Sequence, residues 1–126
     1  MAGRRRKIQG QFGSNMAEAA VFDRAHLARY TMDSPELERE VVELFVAQLP
    51  SILVSLHNAN TAEDWRIAIH TIKGSALAIG AVRISEIAKS LESNSGYHGT
   101  DARQKLLADL NLAAQEFDAL AQQLYR

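Results

Sequence analysis

The sequence predicts an all-α protein: an antiparallel up-down four-helix bundle preceded by a short extra N-terminal helix. Three observations carry that reading. In 126 residues proline occurs 2 times and glycine 7 times, while alanine and leucine recur throughout, a composition that favours helix. Apolar residues return at intervals of three and four along four separate stretches, the period of a helix with one buried side. Short polar links separate those stretches, and no run alternates in polarity as a strand would.

Composition narrows the function as well. The chain has the length of one domain and enough residues to bury a core. With no cysteine it has no disulfide, no thiolate nucleophile and no cysteine zinc site, which fits a reducing compartment, so a cytoplasmic location is expected. No apolar run is read as a membrane span, and no signal-peptide pattern opens the chain. The formal charge of -1 hides an asymmetry: residues 1–15 hold Arg4, Arg5, Arg6 and Lys7 without an acid, +4, which leaves -5 for residues 16–126. That first stretch is rich in glycine, glutamine and arginine, lacks periodicity and ends in Gly13-Ser14-Asn15 before a second methionine, Met16. It reads as a disordered basic leader, vector-derived in character, with the domain expected over 16–126. No nucleic-acid or membrane partner is inferred from it.

In order, Val21 to Tyr30 is expected to form the short helix, with Val21, Phe22, Ala25, Leu27 and Ala28 on its apolar side. Asp33-Ser34-Pro35-Glu36 is a helix start: a capping side chain, proline at the first helical position and an acid in the first turn. The helix it opens carries Leu37, Val41, Leu44, Phe45, Gln48, Ile52, Leu53 and Leu56 at helical spacing, with a kink expected at Pro50. Asn58-Ala59-Asn60 is a turn, and Thr61 with Asp64 resembles a capping box that opens the next helix, ending near Gly80. Val82 to Ser93 follows, with Ile84, Ile87, Ala88 and Leu91 inward, then a loop at 94–99. Thr100 is expected to cap the last helix, to about Tyr125, with Leu106, Leu110, Ala113, Phe117, Leu120 and Leu124 as its inner stripe.

The central helix holds the chemistry. Trp65, Ile69, Ile72, Ala76 and Ile79 form one apolar stripe, which puts His70 on the far side of the helix, toward solvent. Lys73 and Gly74, three and four residues on, share the face of His70. Glycine inside a helix costs about 1 kcal/mol relative to alanine, and core packing cannot explain it on an exposed face. Clearance can: with no side chain beside the imidazole, another protein surface can approach it. An exposed imidazole with an ammonium one turn away suits an anionic group that arrives, bonds and leaves, and phosphoryl is the obvious candidate. Leu77, Ile67, Ala78 and Ala81 on or beside this face have no core to explain them and are read as a partner-binding patch. Phe45, Gln48 and Leu49 on the preceding helix are secondary candidates for extending it, as is Ser75, which has the equal alternative of bonding back to a helix carbonyl.

His70-Thr71-Ile72-Lys73-Gly74-Ser75-Ala76, followed by Ile79-Gly80-Ala81, resembles the signature of histidine-containing phosphotransfer (HPt) domains, His-x-Leu-Lys-Gly-Ser-Ser/Ala with Leu/Ile-Gly-Ala downstream. The likeness runs from about Val21 to Leu124 and includes the helix start at Asp64 and the Leu91-Glu92 pair. Ile72 in place of leucine and Ile69 in place of alanine are its small departures. The resemblance implies a phosphorelay module of two-component signalling, not an enzyme with its own ATP site. It would accept a phosphoryl group from an aspartate of one response-regulator receiver domain and pass it to another. His70 would be the nucleophile through Nε2, Lys73 would stabilise the phosphoryl oxygens, and Gly74 would leave room for the receiver loop. The implied partners are receiver domains and a hybrid sensor histidine kinase, with the chain itself a monomer. No cofactor is expected here, because the magnesium that transfer needs would sit in the receiver.

Three rival readings stand beside this one. Di-iron bundles use Glu-x-x-His motifs, and no glutamate stands three residues before any histidine of this chain, so no metal site is expected. A sensor-kinase dimerisation helix normally has an acid after its histidine and a proline soon afterwards, whereas Thr71 follows His70. A non-catalytic module that binds receivers with the same bundle is the remaining alternative. His26, His57 and His98 lack the setting of His70 and are read as structural or solvent-exposed.

Overall fold

In the computed structural model, residues 18–93 and 100–125 are described. The leader at 1–15 and the loop at 94–99, with His98, lie outside the described residues. Among the described residues, a short helical stretch at 18–21 is followed by α1 Arg24–Thr31, α2 Pro35–His57, α3 Ala62–Ile79, α4 Val82–Ser93 and α5 Thr100–Leu124. α2 packs on α3, α3 on α4, α4 on α5 and α5 back on α2, closing the predicted four-helix ring, with α1 lying against α2 and α3. Among the described residues the only strand-like pairing is an isolated bridge between Phe22 and Ala81.

That bridge corrects the reading of the N-terminal piece. α1 starts at Arg24, capped by the Asp23 carboxylate, which accepts from the His26 N–H. Val21 and Phe22 precede it and are buried, whereas Ala25 is exposed. Phe22 stands edge-on to Phe117 with centroids 5.2 Å apart, and Phe45 meets the same ring at 5.3 Å. Arg24 then bonds the buried Glu38 of α2 through Nη2 at 2.9 Å and lies 5.4 Å from the Tyr125 ring centre. Burial first, and the neighbouring Glu38 charge second, push the Tyr125 phenol up to about 12.

α2 opens as its sequence dictates, with Ser34 accepting from the Leu37 N–H and Pro35 in the first turn. It runs unbroken through Pro50, and its buried face is Glu38, Val42, Phe45, Leu49 and Leu56. The expected stripe is therefore one residue out of register in places: Leu37 and Leu44 are exposed, and Val42 is fully buried. α2 also amends the reading of apolar runs, since it is long and apolar enough by composition to cross a membrane, with a mean hydropathy of 1.3 over its best window. In the bundle the buried part of that surface packs against α3 and α5.

α3 follows its pattern closely. Thr61 accepts from the Asp64 N–H at 3.0 Å, and Trp65, Ala68, Ile69, Ile72, Ala76 and Ile79 are all buried. Arg103 of α5 stacks over the Trp65 ring at 3.4 Å, a cation–π contact worth about 0.5–2 kcal/mol. At the other end Gly80 adopts φ 89°, in the left-handed region, and Ala81 N–H bonds the Ala76 carbonyl, a six-to-one closure of the helix. The Gly80 carbonyl accepts from Asp23 N–H at 2.8 Å, and a Cβ at Gly80 would lie 2.6 Å from the Asp23 oxygen. Only glycine admits both the backbone angle and this approach. A two-residue turn therefore sends α4 back along α3.

Candidate functional site

α3 is held rotationally by six buried side chains, and that setting decides what its other side presents. His70 is exposed. Gly74, one turn on, is exposed too, and a Cβ built there meets nothing within 4 Å. Ile67 and Leu77, 54% and 43% exposed, flank the imidazole along the helix, and Ala78 is exposed beside them. Across the groove toward α2, Ile67, Ala68 and Thr71 border a depression of about 340 Å³ with Ile52 and Ser55. The exposed Gln48 is on the same side of α2, one turn before Ile52.

Three expected surface residues are elsewhere. Phe45 and Leu49 are buried, because they belong to the face of α2 that packs inward against Phe117 and its neighbours. Ala81 is fully buried: the chain leaves the helix at Gly80, so helical arithmetic stops applying, and Ala81 pairs with Phe22. None of the three can touch a partner in this fold. Ser75 is half-buried, and the hydroxyl that bonds back to a carbonyl on this stretch is that of Thr71, at 2.8 Å from Ile67 O.

The ammonium of Lys73, one turn from His70, is engaged with a neighbouring helix. Its Nζ donates to Glu92 Oε1 at 2.8 Å, and its side chain is 22% exposed. The partly exposed pair ties α3 to the end of α4. The Lys73 hydrogen bond holds the Glu92 carboxyl below its ordinary value of 4.5; partial desolvation opposes it, and the charges of Lys73 and His70 add to it. Glu92 is thus within electrostatic reach of both Lys73 and His70. It lines a depression of about 250 Å³ with Arg66, Ile69 and His70.

Sequence reasoning assigned no role to Glu92 or Arg66. The signal for Glu92 was the tight turn: counted outward from Gly80–Ala81, His70 and Glu92 fall at nearly equal distances on antiparallel helices. Arg66 precedes His70 by four residues, one helical turn. Among the described residues no group of three or more histidines and carboxylates is placed to hold a metal. Chemically, the site offers an accessible imidazole, open space beside it, and one cation on each side along the helix. A family model described as Hpt domain matches residues 40–124. Comparison with curated proteins and with solved structures returned no match.

Proposed function

We propose, from the premise that this chain belongs to the Hpt domain family, that it relays a phosphoryl group between receiver-domain aspartates through a phosphohistidine at His70. Hpt domains are phosphotransfer modules of two-component signalling and carry no ATP site of their own, so both donor and acceptor are other proteins. The observation that carries the assignment to His70 is its exposure beside the empty space at Gly74.

A neutral imidazole nitrogen keeps a lone pair for attack on phosphorus. By family analogy Nε2 forms the new N–P bond while the acyl phosphate P–O bond breaks and its electron pair stays on the receiver carboxylate. The return step reverses this with a second receiver. Phosphoryl transfer rests mainly on positioning and charge stabilisation. Here α3 supplies the position, and Lys73, held beside the site by Glu92, supplies charge one turn away. The magnesium ion belongs to the receiver in this reading. Ile67, Leu77 and Ala78 supply apolar contact around the imidazole, with Gln48 at the edge, a patch suited to a small transient interface.

Incubation with a phosphorylated receiver tests the proposal. Label that is acid-labile and base-stable should appear on the wild-type chain and be absent from His70→Gln. Receiver binding without label on either chain would instead support the non-catalytic module.

A further inference from the structure

Lys73 is engaged, which raises the question of what meets the phosphoryl group first. A phosphorylated side chain brings a charge near -2. If Lys73 left Glu92 to meet it, the Glu92 carboxylate would stand unpaired beside two further negative charges. Arg66 has no such commitment. Its guanidinium is 4.0 Å from Glu63, and the two side chains are 72% and 73% exposed, a pairing that water and salt largely cancel. It lines the same depression as His70 and Glu92. At four residues before His70 it is a same-face neighbour, with Cβ atoms about 5–6 Å apart. Guanidinium also presents two parallel donors that match phosphoryl oxygens, which an ammonium does not.

We propose that Arg66 is a second phosphoryl-binding residue of this site, and that it meets the group on His70 while Glu92 retains Lys73. The inference rests on the assignment of His70 made above. It predicts a division of labour: Arg66 comes over from the N-terminal side of α3, exchanging Glu63 for phosphoryl oxygens, and Lys73 contributes fully only when its tie to Glu92 is loosened. The charged groups around the phosphoryl are then Arg66, Glu63 and Lys73 from α3 and Glu92 from α4.

The test separates this from the relay itself by using a small-molecule donor. Phosphoramidate phosphorylates histidine directly: the imidazole nitrogen forms the N–P bond, the donor P–N bond breaks and ammonia leaves. The ³¹P resonance assigned to His70, by its loss in His70→Gln, is then titrated with pH in the wild type, Arg66→Gln, Lys73→Ala and Glu92→Gln. A nearby cation favours the dianion, so removing it raises the titration midpoint. Arg66→Gln should raise the midpoint by about 0.3–0.5 unit at low salt, a shift that vanishes near 1 M salt. Lys73→Ala should raise it less in the native background and more when Glu92→Gln is also present. An Arg66→Gln shift that is absent, or smaller than that of Lys73→Ala in the native background, overturns the proposal. So does failure of phosphoramidate to label His70. Should the shift appear as expected while no receiver transfers phosphate to the chain, the relay is wrong and the anion-binding role of Arg66 stands.

Discussion

Replacing Gly74 by leucine should push stability and function in opposite directions. A helix-interior glycine is less favourable than alanine by about 0.8–1.0 kcal/mol, and leucine ranks just below alanine. A Cβ at Gly74 meets no atom within 4 Å, so the first carbon of a new side chain brings no steric cost against the gain in helix propensity. For a domain of this size about 0.8 kcal/mol corresponds to a rise in Tm of roughly 2–4 °C. The same side chain would stand one turn from the imidazole, where, in the proposed relay, a receiver comes within bonding distance of His70. Exclusion there should lower kcat/KM for transfer from a phosphorylated receiver at least about tenfold, or about 1.4 kcal/mol in the transition state. Gly74→Ala should be stabilised comparably and be impaired less. The assays are a thermal melt followed by circular dichroism and single-turnover transfer with quenched samples. Transfer unchanged in Gly74→Leu would refute the clearance argument. A fall in Tm for Gly74→Ala would show that the space is not open.

Gly80 should behave oppositely to Gly74. Gly80→Ala meets both φ 89° and an oxygen at 2.6 Å, so it should cost about 1–3 kcal/mol in urea unfolding, with loss of the Phe22–Ala81 pairing visible in amide exchange. Lys73→Ala should return the Glu92 carboxyl toward its ordinary value of 4.5, followed by its side-chain carbonyl resonance during a pH titration. Because the folded-state value is depressed, the stabilising part of the pair is complete above about pH 4.5 and is lost as pH falls through the lowered value. Stability of the wild type should therefore fall more steeply than that of Lys73→Ala below that point, and parallel acid-unfolding curves would count against the pairing.

What could be read from the chain divides along a physical line. Periodicity within one helix was legible, because Trp65, Ile69, Ile72, Ala76 and Ile79 make one continuous stripe along α3, which the exposed Ile67 and Leu77 do not match, and that stripe leaves a single solution for the rotation of His70. In α2 adjacent apolar pairs, Val41 with Val42 and Leu44 with Phe45, admit two stripes about 100° apart. Composition alone does not choose between them, and Val42 and Phe45 prove to be inside. Relations between helices were harder still. Lys73–Glu92 and Arg24–Glu38 join residues 19 and 14 positions apart, and no repeat in the sequence encodes such pairings. Ala81 was misread because a helical face was extended one residue past a glycine that turns the chain.

The Ile79-Gly80-Ala81 part of the motif and the His70-to-Gly74 part therefore serve one end by different means. The first faces inward: Gly80 lets the Asp23 backbone close on the end of α3, while Ala81 and Phe22 pin the segment there. The Thr61 cap and the Arg103–Trp65 stack fix the opposite end. A helix held at both termini with six buried residues between cannot turn by one position without exposing Ile72 and burying His70, and side-chain burial of that size is worth about 1.5–3 kcal/mol per residue. The exposure of the imidazole is thus a consequence of the core beneath it, not of the surface around it. Residues of the N-terminal segment that precede the matched region, Phe22 and Asp23 foremost, belong to the machinery that keeps His70 pointed outward.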